Sequence, residues 1–172
     1  MDFIRKYFPF VKLIQLQNDV GVPAQRNIGA LISSGNYLFF LDNDTYICAG
    51  CVENLVEVLK SDPRIAIAQP KTLILGNPRY LNTTGGFLNL IGEARLRGYL
   101  EKDEGQYQNL DEIFYAQNSG FIIRRDVFMK VGKYDPTFYF YYDETDLCFR
   151  VWLYGYRVVY VPSATILHRV SS

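Results

Sequence analysis

Closely spaced carboxylates are the first feature of this chain that could do chemistry. Asp42 and Asp44 flank Asn43 directly after the continuous apolar run Tyr37–Leu41. Two acids one residue apart can hold a hard divalent cation through oxygen, and such a cation can bridge a diphosphate. A solvated turn has the same composition. The position beyond a buried strand favours a site, because open α/β sheets bind ligands outside the carboxyl ends of their strands. A second acidic group, Asp143, Glu144 and Asp146, follows an aromatic stretch from Phe138 to Tyr142. One or two of these acids suit a helix cap and the positive end of its dipole. Three exceed that need, and a clustered carboxylate with a raised pKa can act as a general base. His168 is the only histidine. Next to an acidic metal site it becomes a candidate nitrogen ligand. Cys48 and Cys51 have the spacing of a redox or zinc pair, and Cys148 with His168 would complete a Cys₃His set. Small residues opening a helix explain the same Cys-Ala-Gly-Cys run.

The elements that must position these groups follow from periodicity. Lys12–Leu16 reads as a short strand and Ala24–Ser33 as a helix stopped at Gly35. Tyr37–Leu41 reads as a strand buried on both faces. Val52, Leu55, Val56 and Leu59 have helical spacing, and Asp62-Pro63 closes that helix. Ile65–Gln69 is the next strand. Residues 70–111 hold many turn signals and read as strand fragments and long loops. Phe121–Ile123 then reads as a strand, Arg125–Val131 and Asp143–Tyr154 as helices, and Tyr156–Val161 with Thr165–Leu167 as closing strands. The alternation implies an α/β layer architecture.

Composition narrows the function classes. The chain has 172 residues, 18 Lys plus Arg and 18 Asp plus Glu, for a formal net charge of zero. That lacks the basic footprint of a nucleic-acid binder. A hydrophobic fraction of 49% with 21% charged residues is globular. With 14 Tyr and 12 Phe, half-buried aromatic surfaces of the kind that bind sugars are expected. No run approaches the roughly 20 apolar residues of a membrane span, and residues 1–11 hold no apolar signal core. A cytoplasmic setting, in solution or at the inner face of a membrane, is therefore expected. The Asn43-Asp44-Thr45 and Asn82-Thr83-Thr84 triplets match the glycosylation pattern and read as coincidence in that setting.

The ordered set of motifs resembles the family 2 glycosyltransferases of the GT-A fold, in their rhamnosyltransferase-like and galactofuranosyltransferase-like branch. The matching residues are Gln25-Arg26-Asn27-Ile28-Gly29, Tyr37 through Asp44, Gln69-Pro70-Lys71, Gly85-Gly86 and Arg97-Gly98. They continue through Asp103 to Tyr107, Gly120 to Arg125, Val131 to Asp135, Tyr142 to Arg150, Gly155 to Pro162, and His168. The resemblance covers nearly the whole chain. It implies a Rossmann-like mixed sheet flanked by helices, with residues 1–69 as the remainder of the nucleotide-sugar-binding half. Residues 70–172 would form the acceptor-binding and catalytic half.

The resemblance further implies inverting transfer of a sugar from a UDP- or dTDP-linked donor to a glycan or lipid-linked acceptor, with Mn²⁺ or Mg²⁺. Asp42, Asp44 and His168 match the metal ligands, and Asp42 also matches a donor contact with Arg26 and Asn27. Glu144 matches the general base, with its neighbour Asp143 as the rival. Asn118, Tyr142 and Trp152 fall at acceptor contacts, and Asp146 and Arg150 at structural support. Family members place a strand, a helix and a strand before the segment matching residues 11–16. The resemblance therefore implies a partial domain, whose sheet edge is open to a complementing segment or a second copy. A non-catalytic remnant is the first alternative. A metal-dependent nucleotidyltransferase or phosphohydrolase is the second, disfavoured because no Gly-rich phosphate loop stands near the start.

Overall fold

The computed structural model describes residues 2–170. A short helix α1 (Asp2–Tyr7), which the sequence pattern does not predict, buries no residue. Residues 8–21 form neither helix nor strand, so the strand predicted at Lys12–Leu16 is absent. Its side chains are almost all exposed and no neighbouring strand offers it a ladder. A lone extended segment has nothing to bury and nothing to pair with.

The remaining elements follow the sequence pattern closely. Helix α2 (Val22–Ile32) precedes strands β1 (Tyr37–Leu41) and β2 (Thr45–Ile47), then helix α3 (Cys51–Ser61). Strand β3 (Ile65–Ile74) runs on past the predicted end and is followed by β4 (Asn77–Thr83), β5 (Gly86–Leu88), β6 (Ala94–Leu96) and β7 (Asp111–Glu112). Strand β8 (Gly120–Arg124), helix α4 (Arg125–Lys130), a 3₁₀ turn at Pro136–Phe138, helix α5 (Asp143–Leu153) and strand β9 (Arg157–His168) complete the chain. The two closing strands of the prediction are one strand. Its register against β3 jumps from Pro70↔Val161 to Lys71↔Thr165, which lets Pro162 sit in an unpaired bulge.

The main sheet runs β1-β8-β3-β9-β2, with β4 added to β3 and β7 added to β9. It is mixed: β3 and β9 are parallel, and the other pairs are antiparallel. Alternation along the strands sends side chains to two cores. Leu38, Phe40, Phe121, Ile123, Val158 and Tyr160 face α4 and α5. Ile122, Val159 and Val161 face Leu55 and Leu59 of α3, both fully buried. This is the layered α/β plan the sequence implies.

Two positions need glycine to carry the site. Gly21 has φ 79°, and an added Cβ would come within 2.9 Å of the Tyr139 carbonyl oxygen. Gly86 lies so close to the Tyr115 ring that a Cβ would stand 2.1 Å from it. Arg97 fastens this region by donating from Nη2 to the Thr84 carbonyl (3.0 Å) and from Nη1 to Asp111 (3.2 Å).

β1 pairs only with β8 and ends the sheet, so its outer edge has no partner among the described residues. A groove of about 540 Å³ runs along that edge, between β1, α2 and Lys12. In an antiparallel pair, alternate amides point toward and away from the neighbour. Residue-resolved hydrogen exchange should therefore show slow amides throughout β8 and a slow–fast alternation along residues 37–41. Uniform protection of β1 would mean that another strand covers its edge in solution.

Candidate active site

The acidic clusters predicted from sequence meet at one end of the sheet. β1 stops at Leu41 and the chain turns, with Thr45 N–H donating to the Asp42 carbonyl (3.2 Å). The turn is pinned from beside it. Asp42 N–H (3.4 Å) and the Thr45 hydroxyl (3.0 Å) both donate to the Ser119 carbonyl, just ahead of β8. β2 then pairs antiparallel with the end of β9, in the register Thr45↔His168. Arg169 N–H donates to the Asp44 carbonyl (3.0 Å), which extends the ladder by one bond. That register brings His168 to the acids. One donor atom each from Asp42, Asp44 and His168 lie within 4.8 Å of one another, and His168 Nε2 is 3.4 Å from Asp44 Oδ1.

Two carboxylates and an imidazole at this spacing fit a single divalent ion. His168 Nδ1 lies 2.9 Å from Asn82 Oδ1, which leaves Nε2 facing the acids. Burial raises the Asp42 pKa, with the nearby Asp44 charge adding to it; Arg26 and His168 oppose the rise.

The second cluster faces the first across a cleft of about 200 Å³. The lining includes Arg26, Asp42, Asn118, Asp143 and Glu144, under Phe140 and Tyr141. Asp143 is 1% exposed. Arg26 Nη1 lies 3.5 Å from Asp143 Oδ2, while its Nη2 donates to Asp42 Oδ1 at 2.6 Å. One guanidinium thus ties the two acidic centres together. The Asn118 amide group contacts both Asp143 oxygens (3.1 and 3.2 Å) and Glu144 Oε2 (3.0 Å), and its Oδ1 accepts from the Tyr134 hydroxyl (3.2 Å). Burial, then the neighbouring Asp143 charge, pushes the Glu144 carboxyl up to about 8.

A family model described as glycosyl transferase family group 2 matches residues 37–172. The chain belongs to that family. Polypeptide N-acetylgalactosaminyltransferase 5 of Caenorhabditis elegans is 24% identical over 178 residues, covering 97% of this chain and 28% of that protein. An N-acetylglucosaminyl-diphospho-decaprenol L-rhamnosyltransferase of Mycobacterium tuberculosis is 37% identical over 54 residues, covering 31% of this chain and 18% of the relative. A crystal structure of GalNAc-T7 with UDP, GalNAc and Mn²⁺ superposes with a TM-score of 0.81 at 19% identity, over 99% of this chain and 34% of that one. The fold is therefore GT-A. The chain spans about a third or less of the length of these proteins.

Other residues of this family 2 chain occupy less direct places. Asn27 donates to the Tyr134 carbonyl (2.8 Å) and accepts from Tyr134 N–H (3.0 Å), so its amide clamps α2 to the turn after α4. Asp146 and Arg150 pair at 2.6 Å along α5, and Arg150 also donates to the Val131 carbonyl. Trp152 lies two turns beyond Glu144, about 12 Å along the helix. Its indole N–H donates to the Phe114 carbonyl (2.9 Å). Tyr142 is 55% exposed and has a positive φ (61°), as do Tyr139 and Tyr141 (φ 55° and 66°). Such residues cost on the order of 1–3 kcal/mol each and persist only where surroundings hold them. Here Val22 N–H donates to the Tyr139 carbonyl (3.1 Å), and the Tyr139 hydroxyl donates to Asp19 (3.0 Å).

The zinc reading of the cysteines fails. Cys51 packs in the core beneath α3, Cys148 in the core on the other face of the sheet, and His168 turns to the acids. Burial raises the Cys51 thiol to about 11 and the Cys148 thiol to about 12, so neither is a thiolate near neutrality. Asn82, which sequence reasoning treated only as a coincidental glycosylation triplet, is 2% exposed and touches His168. No spacing rule separates it from an ordinary strand asparagine.

The Glu144 environment fixes a pH dependence of stability. An unperturbed glutamate titrates at 4.5, and the folded protein holds this one near 8. Below pH 4.5 both states are protonated and nothing is lost. Between 4.5 and 8 the unfolded chain releases a proton that the folded chain keeps, so stability falls as pH rises. The melting temperature of Glu144→Gln, measured relative to the native protein, should therefore climb across that window. A difference that stays flat with pH would place Glu144 in the ordinary carboxylate range.

Proposed function

We propose that this chain carries the reaction centre of a metal-dependent, inverting glycosyltransferase that uses a nucleotide-diphosphate sugar. The observation that carries the reading is that Asp42 and Glu144 line one cleft, with the Asp42–Asp44–His168 group on one side and a raised carboxyl on the other. A hydrolase or nucleotidyltransferase could use the same metal ligands and the same base; the family match favours sugar transfer.

Asp42, Asp44 and His168 would hold the ion. A nitrogen ligand suits Mn²⁺ better than the hard, oxygen-preferring Mg²⁺. When bound, the ion supplies positive charge where the leaving diphosphate accumulates negative charge. Glu144 accepts the proton of the acceptor hydroxyl as that oxygen forms its bond to the anomeric carbon. The bond from that carbon to the diphosphate oxygen breaks on the opposite face, and the nucleoside diphosphate leaves with the electron pair. Asp143 is the weaker candidate for base, because it is almost fully buried and engaged by Arg26 and Asn118. Asn118 fixes both acid side chains. Arg26 opposes the rise in the Asp42 pKa and holds its carboxyl group at the cleft.

The acceptor side is lined by carbon. A hollow of about 280 Å³, bounded by Leu88, Phe114, Phe138, Tyr142 and Phe149, opens beside Thr145 and Asp146, the two residues after Glu144. Glu144 lines the neighbouring cleft and not this hollow, so we assign the hollow to a portion of the acceptor away from its reacting hydroxyl. The apolar lining suits a lipid-linked or otherwise apolar carrier better than a bare glycan. The open edge of β1 lies on the donor side, at the groove that reaches Arg26. We expect full donor affinity in the setting where a further strand pairs with that edge, supplied by a complementing segment or by a second copy.

Two variants separate binding from chemistry. Asp44→Ala should remove Mn²⁺-dependent binding of a nucleoside diphosphate, measured by calorimetry with UDP, dTDP and GDP. Glu144→Gln should leave that binding within a few-fold of native and lower transfer by about 10²–10⁴-fold. Retained turnover in Glu144→Gln would move the base to another group. Metal-independent binding in the native protein would remove Asp42, Asp44 and His168 from the donor site.

A further inference from the structure

His168 offers two nitrogens, and its usefulness as a ligand depends on which one carries the proton. Nε2 faces Asp44 at 3.4 Å, and Nδ1 faces Asn82 Oδ1 at 2.9 Å. An amide oxygen can only accept, so this contact draws the proton to Nδ1 and leaves a lone pair on Nε2. Histidines that bind metals almost always give their other N–H to such an acceptor, which fixes both tautomer and ring orientation.

The local fold places Asn82 for this contact. β4 pairs with β3 through Thr72↔Thr83 and then Leu73↔Leu81, so Asn82 is the extra residue of a bulge. A bulge re-aims the side chain it carries and is common beside active sites. Leu81 and Thr83 are fully buried on either side, and Asn82 itself is 2% exposed. Its partner His168 pairs with Ile74 of β3 on one side and Thr45 of β2 on the other, so the imidazole is held by two ladders. A buried amide spent on a histidine, at a break in strand register, has no packing purpose that a leucine would not serve equally well.

We propose that Asn82 is a positioning residue for metal binding. It holds His168 as the Nδ1–H tautomer and so presents the Nε2 lone pair to the space between Asp42 and Asp44. The inference rests on the metal reading above, but its first test needs no metal.

His168 is the only histidine, so long-range ¹H–¹⁵N NMR reports its tautomer without ambiguity. At a pH where the spectrum shows the imidazole carrying a single proton, the native metal-free chain should show Nδ1 protonated and Nε2 bare. Finding the proton on Nε2 overturns the proposal, because Asn82 would then be donating through its reversed amide. Asn82→Leu should move the proton to Nε2 and weaken Mn²⁺ binding about 10–100-fold, read by electron paramagnetic resonance titration. Asn82→Asp keeps an acceptor and should hold both tautomer and affinity near native values. That rescue distinguishes positioning from general damage to the bulge. Equal Mn²⁺ affinity in native and Asn82→Leu proteins would overturn the role. If the native chain binds no Mn²⁺, the metal reading fails, while the tautomer measurement still decides what Asn82 does.

Discussion

The site depends on one electrostatic arrangement: four carboxylates gathered at the end of a sheet around one guanidinium. Asp42, Asp44, Asp143 and Glu144 converge where, among the described residues, Arg26 and His168 are the basic side chains paired with them. Arg26 is largely buried, reaches both acidic centres, and lies 5.6 Å over the Tyr134 ring. Breaking a buried pair by removing one partner typically costs about 3–5 kcal/mol, because the remaining charge is left uncompensated. Arg26 projects from α2, so docking that helix onto the sheet is a condition for the acids to be buried at all. The Asn27 clamp on Tyr134 and the Pro23 start of α2 serve the same end. A chain of zero net charge thus concentrates negative charge locally and keeps just enough positive charge there to hold it.

The second constraint is strand register. Asp44 and His168 are 124 residues apart in the sequence and meet because β9 inserts between β3 and β2. A shift of one residue would turn every side chain of β9 to the other face. Val158 and Tyr160 would lose one core and Val159 and Val161 the other, so burial on both faces fixes the register that the site uses. The bulges at residues 162–164 and at Asn82 are two of the places where the ladders on β3 yield. Both lie close to His168 along their strands. The core supplies rigidity, and the departures from regularity aim the side chains that cluster around His168.

Much of this was legible in the sequence for physical reasons. The YLFFL run followed by acids could only be a buried strand ending at a sheet edge, and the helices α2, α3 and α5 carry apolar faces with stop signals. The motifs around Asp42, Glu144 and His168 were found because carboxylates and imidazole declare their chemistry by type. What failed was non-local. Lys12–Leu16 has strand composition, but a strand exists only with a neighbour, and sequence does not show whether one is present. Asn118 carries no sign that its amide will be shared between two acids, and Asn82 none that it will meet a histidine 86 residues away. Those contacts are set by register and by bulges, which emerge only when the sheet is assembled.

β1 shows how the reactive end and the open edge coexist. Its side chains are held on both faces, Leu38 and Phe40 in one core and Tyr37 and Phe39 against the other. Its backbone is held on one side only, by five residue pairs with β8. Apolar burial of this kind contributes roughly 25 cal/mol per Å², whereas a ladder hydrogen bond contributes a net of about 1 kcal/mol. The strand is therefore anchored chiefly by its faces, and its acidic tip is fixed further by Ser119 and Arg26. The outer edge can then stay unpaired without loosening Asp42. Covering it would extend the wall of the groove between β1 and α2 and leave the acids where they are. The open edge and the Glu144 cluster are in that sense mechanically separable, although a single arginine links Asp42 and Asp143 electrostatically.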